Sequence, residues 1–257
     1  AIYEALRAHE GVRAVVLAVP KVQNNEPYDE ATDTLDTASE DLCRGKGLDF
    51  VCAFDRETGE WITPETLGAG YVFYSRPYDE HYPAPLRSDA VSRYAKICYI
   101  PYSYNTTTGR LLEFMYKREF MVNCWRVFIT QPDSVDWVRG WLPYLTRARR
   151  EVFRMDGYPE FDTLVNAQSA FSREGYAKVV AWFPRWLSAG EGNCESHFLA
   201  FREHFLAFAK SHPDVLCICR PHPLLFGDFR KTGEFTPEEE AAVRPACPGN
   251  GLPVSYK

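Results

Sequence analysis

The sequence predicts a doubly wound α/β fold in two lobes, on three observations. Short apolar runs rich in β-branched and aromatic residues recur along the 257 residues, with helix signals between them. Most of these runs are apolar at consecutive positions, which is typical of parallel strands buried on both faces. The length is about 1.7 times the ~150 residues of an average domain, which fits two modest lobes.

Eight segments are predicted as strands: residues 12–19, 48–54, 71–75, 96–101, 125–130, 151–155, 178–183 and 215–219. Strand–helix–strand repetition favours right-handed crossovers. Six of the strands precede Gly157, where Gly-Tyr-Pro and a polar stretch interrupt the pattern. We therefore predict an N-terminal lobe over residues 1–156, a hinge over 157–176 and a partial C-terminal lobe over 177–257.

The segments between the strands carry helix signals. Thr63-Pro64-Glu65 and Thr236-Pro237-Glu238 each place a cap residue before a proline suited to the first helical position. Helices are also predicted over residues 135–144 and 195–210. Four phenylalanines share one face of the second of these: Phe198, Phe201, Phe205 and Phe208. That spacing predicts packing against a sheet rather than a cofactor site.

The amino-acid composition limits the classes of protein to which this chain can belong. The chain is 46% apolar and 25% charged, as globular domains are, and its longest apolar run, residues 14–19, is far below the ~18 residues that span a bilayer. The net charge of −6 disfavours general nucleic-acid binding. Eight cysteines form no CxxC pairs or histidine-spaced clusters, so we expect reduced thiols in a cytoplasmic protein, and no metal or other cofactor is implied.

The candidate donor site consists of the residues that directly follow two of the predicted strands, because ligands of open parallel sheets bind beyond the carboxyl ends of strands. Arg220-Pro221-His222-Pro223 follows strand 215–219, and a guanidinium beside an imidazole suits a diphosphate. The alternative is that the prolines only end the strand while Arg220 pairs with a surface carboxylate. Arg185 and Trp186 follow strand 178–183 and could hold a phosphate and a ring, or be an exposed arginine beside a packing tryptophan.

The loop after strand 96–101 is the candidate acceptor site. It reads Tyr102-Ser103-Tyr104-Asn105, which supplies two phenols, a hydroxyl and an amide without charge. Such a loop suits a carbohydrate-type acceptor, although an ordinary turn would have the same composition. We expect it to face the second lobe across a cleft.

Four segments occur in an order that resembles a known family: residues 96–102 (Lys-Ile-Cys-Tyr-Ile-Pro-Tyr), 157–162 (Gly-Tyr-Pro-Glu-Phe-Asp), 179–185, and 217–223 (Cys-Ile-Cys-Arg-Pro-His-Pro). Together they resemble the CDP-glycerol glycerophosphotransferase family, the teichoic-acid polymerases, and related capsule and cell-envelope glycosyltransferases of the GT-B fold. The second segment is similar to that family's Gly-x-Pro-x-x-Asp hinge motif, and the last is similar to the motif whose histidine helps hold the donor's phosphates.

The resemblance implies two Rossmann-like lobes and a transferase that moves a glycerophosphate or sugar group from a CDP- or UDP-linked donor to a cell-envelope glycan or lipid-linked acceptor. It implies catalytic roles for His222 and Tyr102. Arg220, His222 and Arg185 would bind the donor phosphates, and Tyr102, Tyr104 and Asn105 would line the acceptor side.

This chain departs from the family pattern at two places, and these departures leave alternative functions open. The polymerases carry a His-Gly pair as general base where this chain reads Tyr102-Ser103, and a phenol with an ordinary pKa near ~10 is a poor base. Their Asp and paired Ser downstream of Arg-Pro-His-Pro are also missing, so an inactive fragment with an incomplete second lobe is expected. A non-catalytic nucleotide- or glycan-binding protein and a sugar-nucleotide epimerase or hydrolase on the same scaffold stay open.

Arg147, Arg149, Arg150 and Arg154 form a basic cluster, and the first three are the candidates for peripheral contact with the inner membrane face. Each base near an anionic leaflet contributes about 1 kcal/mol. The alternative is a helix C-terminus that favours cations.

Overall fold

The computed structural model describes residues 2–23, 26–28, 35–104, 112–148, 152–166, 175–185, 196–222, 224–234, 236 and 238. The chain divides into two compact units, Ala1–Ala167 and Gln168–Lys257. This division falls inside the segment 157–176, for which the sequence predicted a hinge. Each unit has parallel strands and an apolar core of its own.

The first part of unit 1 contributes these described elements: α1 (Ile2–Arg7), β1 (Val16–Ala18), β2 (Val22–Gln23), β3 (Glu26–Pro27), α2 (Ala38–Gly45) and β4 (Phe50–Cys52). β1 and β4 pair in parallel, with Val16 opposite Phe50. β2 and β3 form a short antiparallel pair that the sequence analysis missed, because two-residue strands leave no periodic pattern.

The rest of unit 1 contributes β5 (Tyr71–Tyr74), α3 (Ser88–Val91), β6 (Lys96–Tyr99), α4 (Leu112–Met115), α5 (Arg118–Met121), β7 (Cys124–Phe128), α6 (Val135–Trp141), α7 (Pro143–Ala148), β8 (Phe153–Arg154) and α8 (Pro159–Asn166). The strands form one parallel sheet in the order β5-β6-β7-β8. Among the described residues this sheet runs in sequential order, and its parallel strands with helices between them are compatible with a Rossmann-like fold.

The core of unit 1 lies on one face of this sheet. Alternate strand residues such as Ile97 and Tyr99 are fully buried there against Val91, Phe120 and residues of the other crossover helices. Tyr71 and Phe73, which alternate with the core-facing positions of β5, are exposed on the opposite face. The described helices that follow β5, β6 and β7 therefore cover this sheet from one side.

Unit 2 contains β9 (Lys178–Trp182), α9 (Phe198–Ser211), β10 (Val215–Cys219) and α10 (Leu225–Thr232). β9 and β10 pair in parallel, and β10 is buried along its whole length. The phenylalanine stripe packs inward only in part, since Phe198 is buried and Phe205 contacts Trp182, whereas Phe201 is exposed. α10 ends at Gly233, whose φ of 72° lets the chain leave the helix.

The strand predictions are confirmed, because each of the eight predicted segments contains a strand and the long pairings are parallel. The helix predicted to start at Pro64 is wrong. Residues 64–68 form a single turn instead, since Gly68 adopts a φ of 66° and the chain leaves the helical conformation there. The helix predicted over 135–144 is interrupted after Trp141, because Pro143 has no N–H to continue it. The helix predicted after Thr236 lies largely outside the described residues.

Candidate functional site

The segments that follow β9 and β10 run side by side beyond the strands. The N–H of Arg220 donates to the carbonyl of Trp182 at 2.9 Å, and the N–H of His222 donates to the carbonyl of Pro184 at 3.0 Å. This pairing continues the parallel ladder by several residues, so Arg185, Arg220 and His222 all lie at the carboxyl edge of the strand pair. Ligands of open α/β sheets bind at that edge.

The hydrogen bonds of His222 fix the tautomer of its neutral ring. Its Nδ1 accepts a 3.2 Å hydrogen bond from the N–H of Leu224, so in the neutral imidazole the proton lies on Nε2. The His222 carbonyl accepts from the N–H of Leu225, the first residue of α10. With the bond from its own N–H to Pro184, His222 is thus held by at least three hydrogen bonds at the start of α10.

The charge at this edge is positive. Segments 183–185 and 220–222 contain two arginines and one histidine and no acidic residue, and the side chains of Arg185, Arg220 and His222 are exposed. The amino end of α10 adds the partial positive charge of a helix N-terminus. Guanidinium, imidazole N–H and helix N–H groups are the donors that proteins use for phosphate oxygens.

A small apolar cavity lies behind the same strand ends. It is lined by residues that include Trp182, Phe198, Phe205 and Cys219, and its volume is about 80 Å³. Small-molecule pockets measure about 300–1,000 Å³. This cavity is therefore too small for a nucleotide, and a ligand at this edge would lie on the open loops.

Tyr102 leaves the carboxyl end of β6 in unit 1. Its N–H donates a 3.0 Å hydrogen bond to the carbonyl of Ser75, and its carbonyl accepts a 3.0 Å bond from the Tyr158 hydroxyl. These two bonds tie the loop to the neighbouring strand end and to the start of α8. The Tyr102 side chain is exposed, so the phenol can reach a ligand at this edge.

Three aromatic rings adjoin this loop. The Tyr104 ring centroid is 5.0 Å from that of Phe161 and 6.1 Å from that of Tyr158, and the last two are 5.4 Å apart. Gly157 makes this arrangement possible, because its φ of 91° turns the chain between β8 and α8. Tyr158 and Phe161 belong to segment 157–162, which the sequence predicted to be a hinge. Neither residue was predicted to be part of a site.

Sequence reasoning also missed the residues that follow β5. Burial, together with an interaction with the Tyr102 phenol, raises the pKa of Tyr78, while the Arg76 guanidinium acts in the opposite direction. The His81 ring centroid is 5.4 Å from that of Tyr78. Arg76, Tyr78 and His81 come directly after a predicted strand, so the strand-end rule applied to Arg220 would have found them.

An open groove of about 580 Å³ lies in unit 1 near Tyr78. Its lining includes Glu80 and Lys117, which are ion-paired, and Trp141, over whose ring the Arg118 guanidinium stacks at 3.8 Å. Two bases and four acidic residues line it, so its charge does not favour an anionic ligand.

Several predicted site residues lie outside the described part of the chain: Asn105, Trp186, Pro223, Arg149 and Arg150. Arg147 is the last residue but one of α7. Among the described residues, no group of three histidine, cysteine, aspartate or glutamate side chains could hold a metal ion, and no helix is long and apolar enough to cross a membrane.

The fold and these sites define a class: a mixed α/β protein with a four-stranded parallel sheet in one unit and a parallel strand pair with a basic carboxyl edge in the other. Comparison with known proteins gives no counterpart, since no family model, no curated protein and no solved structure matches the chain.

Proposed function

We propose that this protein is a GT-B-type transferase with two Rossmann-like lobes, which takes a glycerophosphate or sugar group from a CDP- or UDP-linked donor. The acceptor is a cell-envelope glycan or its lipid-linked precursor. One observation carries the proposal: the pairing of segment 183–185 with segment 220–222, which brings Arg185, Arg220 and His222 to one edge beside the start of α10.

The chemistry of that edge suits a diphosphate leaving group. Transfer of a sugar leaves negative charge on the β-phosphate of the departing nucleoside diphosphate, and transfer of glycerophosphate leaves it on the phosphate of the departing CMP. Fixed positive groups stabilise either charge as it develops. In the proposed arrangement the guanidiniums of Arg185 and Arg220 bind phosphate oxygens, and the Nε2–H of His222 donates to a third. The hydrogen bonds to Pro184 and Leu224 hold the histidine in position before the donor arrives.

The acceptor side is assigned to the loop that carries Tyr102, Tyr104 and Asn105. In the family that this chain resembles, a histidine is the general base, and here Tyr102 takes its place. Contact with membrane-borne acceptors is assigned to Arg147, Arg149 and Arg150, where cations favour an anionic surface.

One observation favours a second candidate, a non-catalytic protein that binds a nucleotide or glycan. Burial, together with the hydrogen bond to Tyr102, raises the pKa of Tyr78, so even less of it is deprotonated at neutral pH than of an ordinary phenol, and it offers Tyr102 no base. An acceptor side without a general base would bind its ligands without promoting transfer.

A thermal-shift screen of CDP, UDP, GDP and their glycerol- or sugar-linked forms tests the proposal. A ligand that binds only the native state raises the melting temperature. We expect a cytidine or uridine diphosphate to raise it, and release of CMP, UMP or UDP from the linked form would then separate the transferase from the binding protein. Failure of every nucleotide to shift the melting temperature would contradict both.

A further inference from the structure

The exposed aromatic platform of unit 1 consists of Tyr104, Tyr158 and Phe161. Phe161 lies in the first turn of α8, Tyr158 directly precedes that helix, and Tyr104 lies in the loop after β6, with ring centroids 5.0–6.1 Å apart. Tyr104 is 36% exposed and Phe161 is 43% exposed. A ring that only filled a core would be covered, so these two faces are accessible to a ligand.

Hydrogen bonding holds the platform in shape. The Tyr158 hydroxyl donates to the Tyr102 carbonyl at 3.0 Å, which joins the two segments that carry the rings. Pro159 begins α8 directly after Tyr158, and its fixed φ limits the motion of the chain between them. A platform fixed in this way loses little conformational entropy when it binds a ligand.

The charge beside the platform is negative. The Glu160 carboxylate lies close enough to the Tyr158 hydroxyl to contribute, after burial, to a raised pKa of that phenol. The Arg154 guanidinium at the end of β8 is paired with Asp156 at 3.3 Å, and the Arg76 guanidinium acts on Tyr78, the partner of the Tyr102 phenol. Phosphate-bearing polymers are bound most strongly by charged donors such as arginine and lysine, and a carboxylate beside the rings would repel them.

We infer that the platform of Tyr104, Tyr158 and Phe161 binds an uncharged saccharide, whose apolar ring face stacks on Phe161 and Tyr104 while Glu160 accepts hydrogen bonds from its hydroxyls. The inference rests on the proposed function, for which it names the acceptor: a neutral glycan chain rather than a polyol phosphate. Aromatic rings supply apolar contact area with little conformational freedom to lose, and a carboxylate accepts from hydroxyl groups without a proton of its own.

Saturation-transfer NMR on the full chain tests the inference with five probes: maltopentaose, cellopentaose, chitopentaose, a mannopentaose and a short poly(glycerol phosphate). We expect at least one neutral pentasaccharide to bind with a Kd of about 1 mM or tighter, and the polyanion not to bind. Phe161→Ala should weaken that binding by about tenfold. The matched control is Leu164→Ala, which removes an apolar side chain that is 67% exposed on the same helix outside the three rings.

Three outcomes would overturn the inference: no neutral pentasaccharide binds at about 10 mM, the polyanion binds and the neutral chains do not, or Leu164→Ala weakens binding as much as Phe161→Ala. The last result would mean that the helix surface docks a partner without using the rings. A parallel titration with CDP and UDP keeps this test separate from the proposed function. Nucleotide binding without saccharide binding refutes the platform alone, and saccharide binding without nucleotide binding refutes the transferase alone.

Discussion

The N–H of His222 donates a 3.0 Å hydrogen bond to the carbonyl of Pro184, two residues beyond the last strand pair of unit 2. The bond extends the parallel ladder from the strands into the loops. It brings a histidine and an arginine, 37 positions apart in the sequence, to one edge of the sheet. The proposed diphosphate site depends on this relationship more than on either residue alone.

Replacement of His222 should weaken nucleotide binding and leave the fold intact. In the proposed arrangement the ring donates from Nε2 and accepts from Leu224 through Nδ1. His222→Asn can keep the acceptor for the Leu224 N–H, while its shorter side chain no longer places a donor where the Nε2–H lies. A charge-assisted hydrogen bond is worth about 1.5–3 kcal/mol, so calorimetry should give a CDP affinity lower by roughly 10- to 150-fold. Unchanged affinity for every nucleotide that binds the wild type would show that His222 does not touch phosphate.

Arg185→Gln and Arg220→Gln should each lower affinity for the diphosphate and not for the nucleoside. Both side chains are exposed, so we expect a modest loss of about tenfold for CDP, with a smaller dependence on salt. Cytidine, which has no phosphate, should bind the variants and the wild type alike. The control is Arg93→Gln, which removes an exposed arginine from unit 1. A loss of CDP affinity in that control would point to a general charge effect.

Tyr74→Phe and Tyr99→Phe should have opposite effects on stability. The buried Tyr74 hydroxyl donates a 2.7 Å hydrogen bond to the carbonyl of Leu86, and its removal should lower the free energy of unfolding by about 1–3 kcal/mol. The Tyr99 hydroxyl is buried without a hydrogen-bond partner, so its removal should leave that free energy unchanged or raise it by up to about 1 kcal/mol. Urea unfolding of the two variants measures both. A loss in Tyr99→Phe as large as that in Tyr74→Phe would mean that the Tyr99 hydroxyl has a partner.

Cys98 should make stability sensitive to alkaline pH. Burial raises its pKa from 9.0 to about 11 in the folded chain, while the unfolded thiol keeps its ordinary value. Between those two pH values the unfolded state loses a proton that the folded state retains, so stability falls as pH rises through the window. Cys98→Ala should therefore show a smaller loss of unfolding free energy between neutral pH and about pH 10 than the wild type. An identical dependence of the unfolding free energy on pH in both proteins would contradict the raised pKa of Cys98. Buried tyrosines contribute to that dependence in both proteins.

The strands could be predicted because their signal is local. Runs such as 96–101 and 215–219 are apolar at consecutive positions, and a buried parallel strand is the element that such runs form. The helix predicted over 135–144 runs past its true end at Trp141, although the local signal, Pro143, is present in the sequence. The failure at Thr63-Pro64-Glu65 has a local cause too, because Gly68 closes a turn before a helix can gain a second revolution.

The aromatic platform could not be predicted, because its parts come from distant segments. Tyr104 and Phe161 are 57 positions apart, and only the parallel order of β6, β7 and β8 brings their strand ends to the same edge. The strand-end rule does identify each segment separately. What it lacks is the register of neighbouring strands, which decides which of the exposed side chains meet.

A titration of the ¹⁵N-labelled chain with CDP, followed by backbone amide resonances, tests the central claim most directly. Every amide reports on its own surroundings, so the result locates the ligand without a mutation. The account predicts that the largest shifts cluster in residues 182–185 and 220–225, around the pairing of His222 with Pro184, and that they vanish in His222→Asn. Shifts centred on residues 75–81 or 100–104 instead, or no shifts at about millimolar CDP, would contradict it.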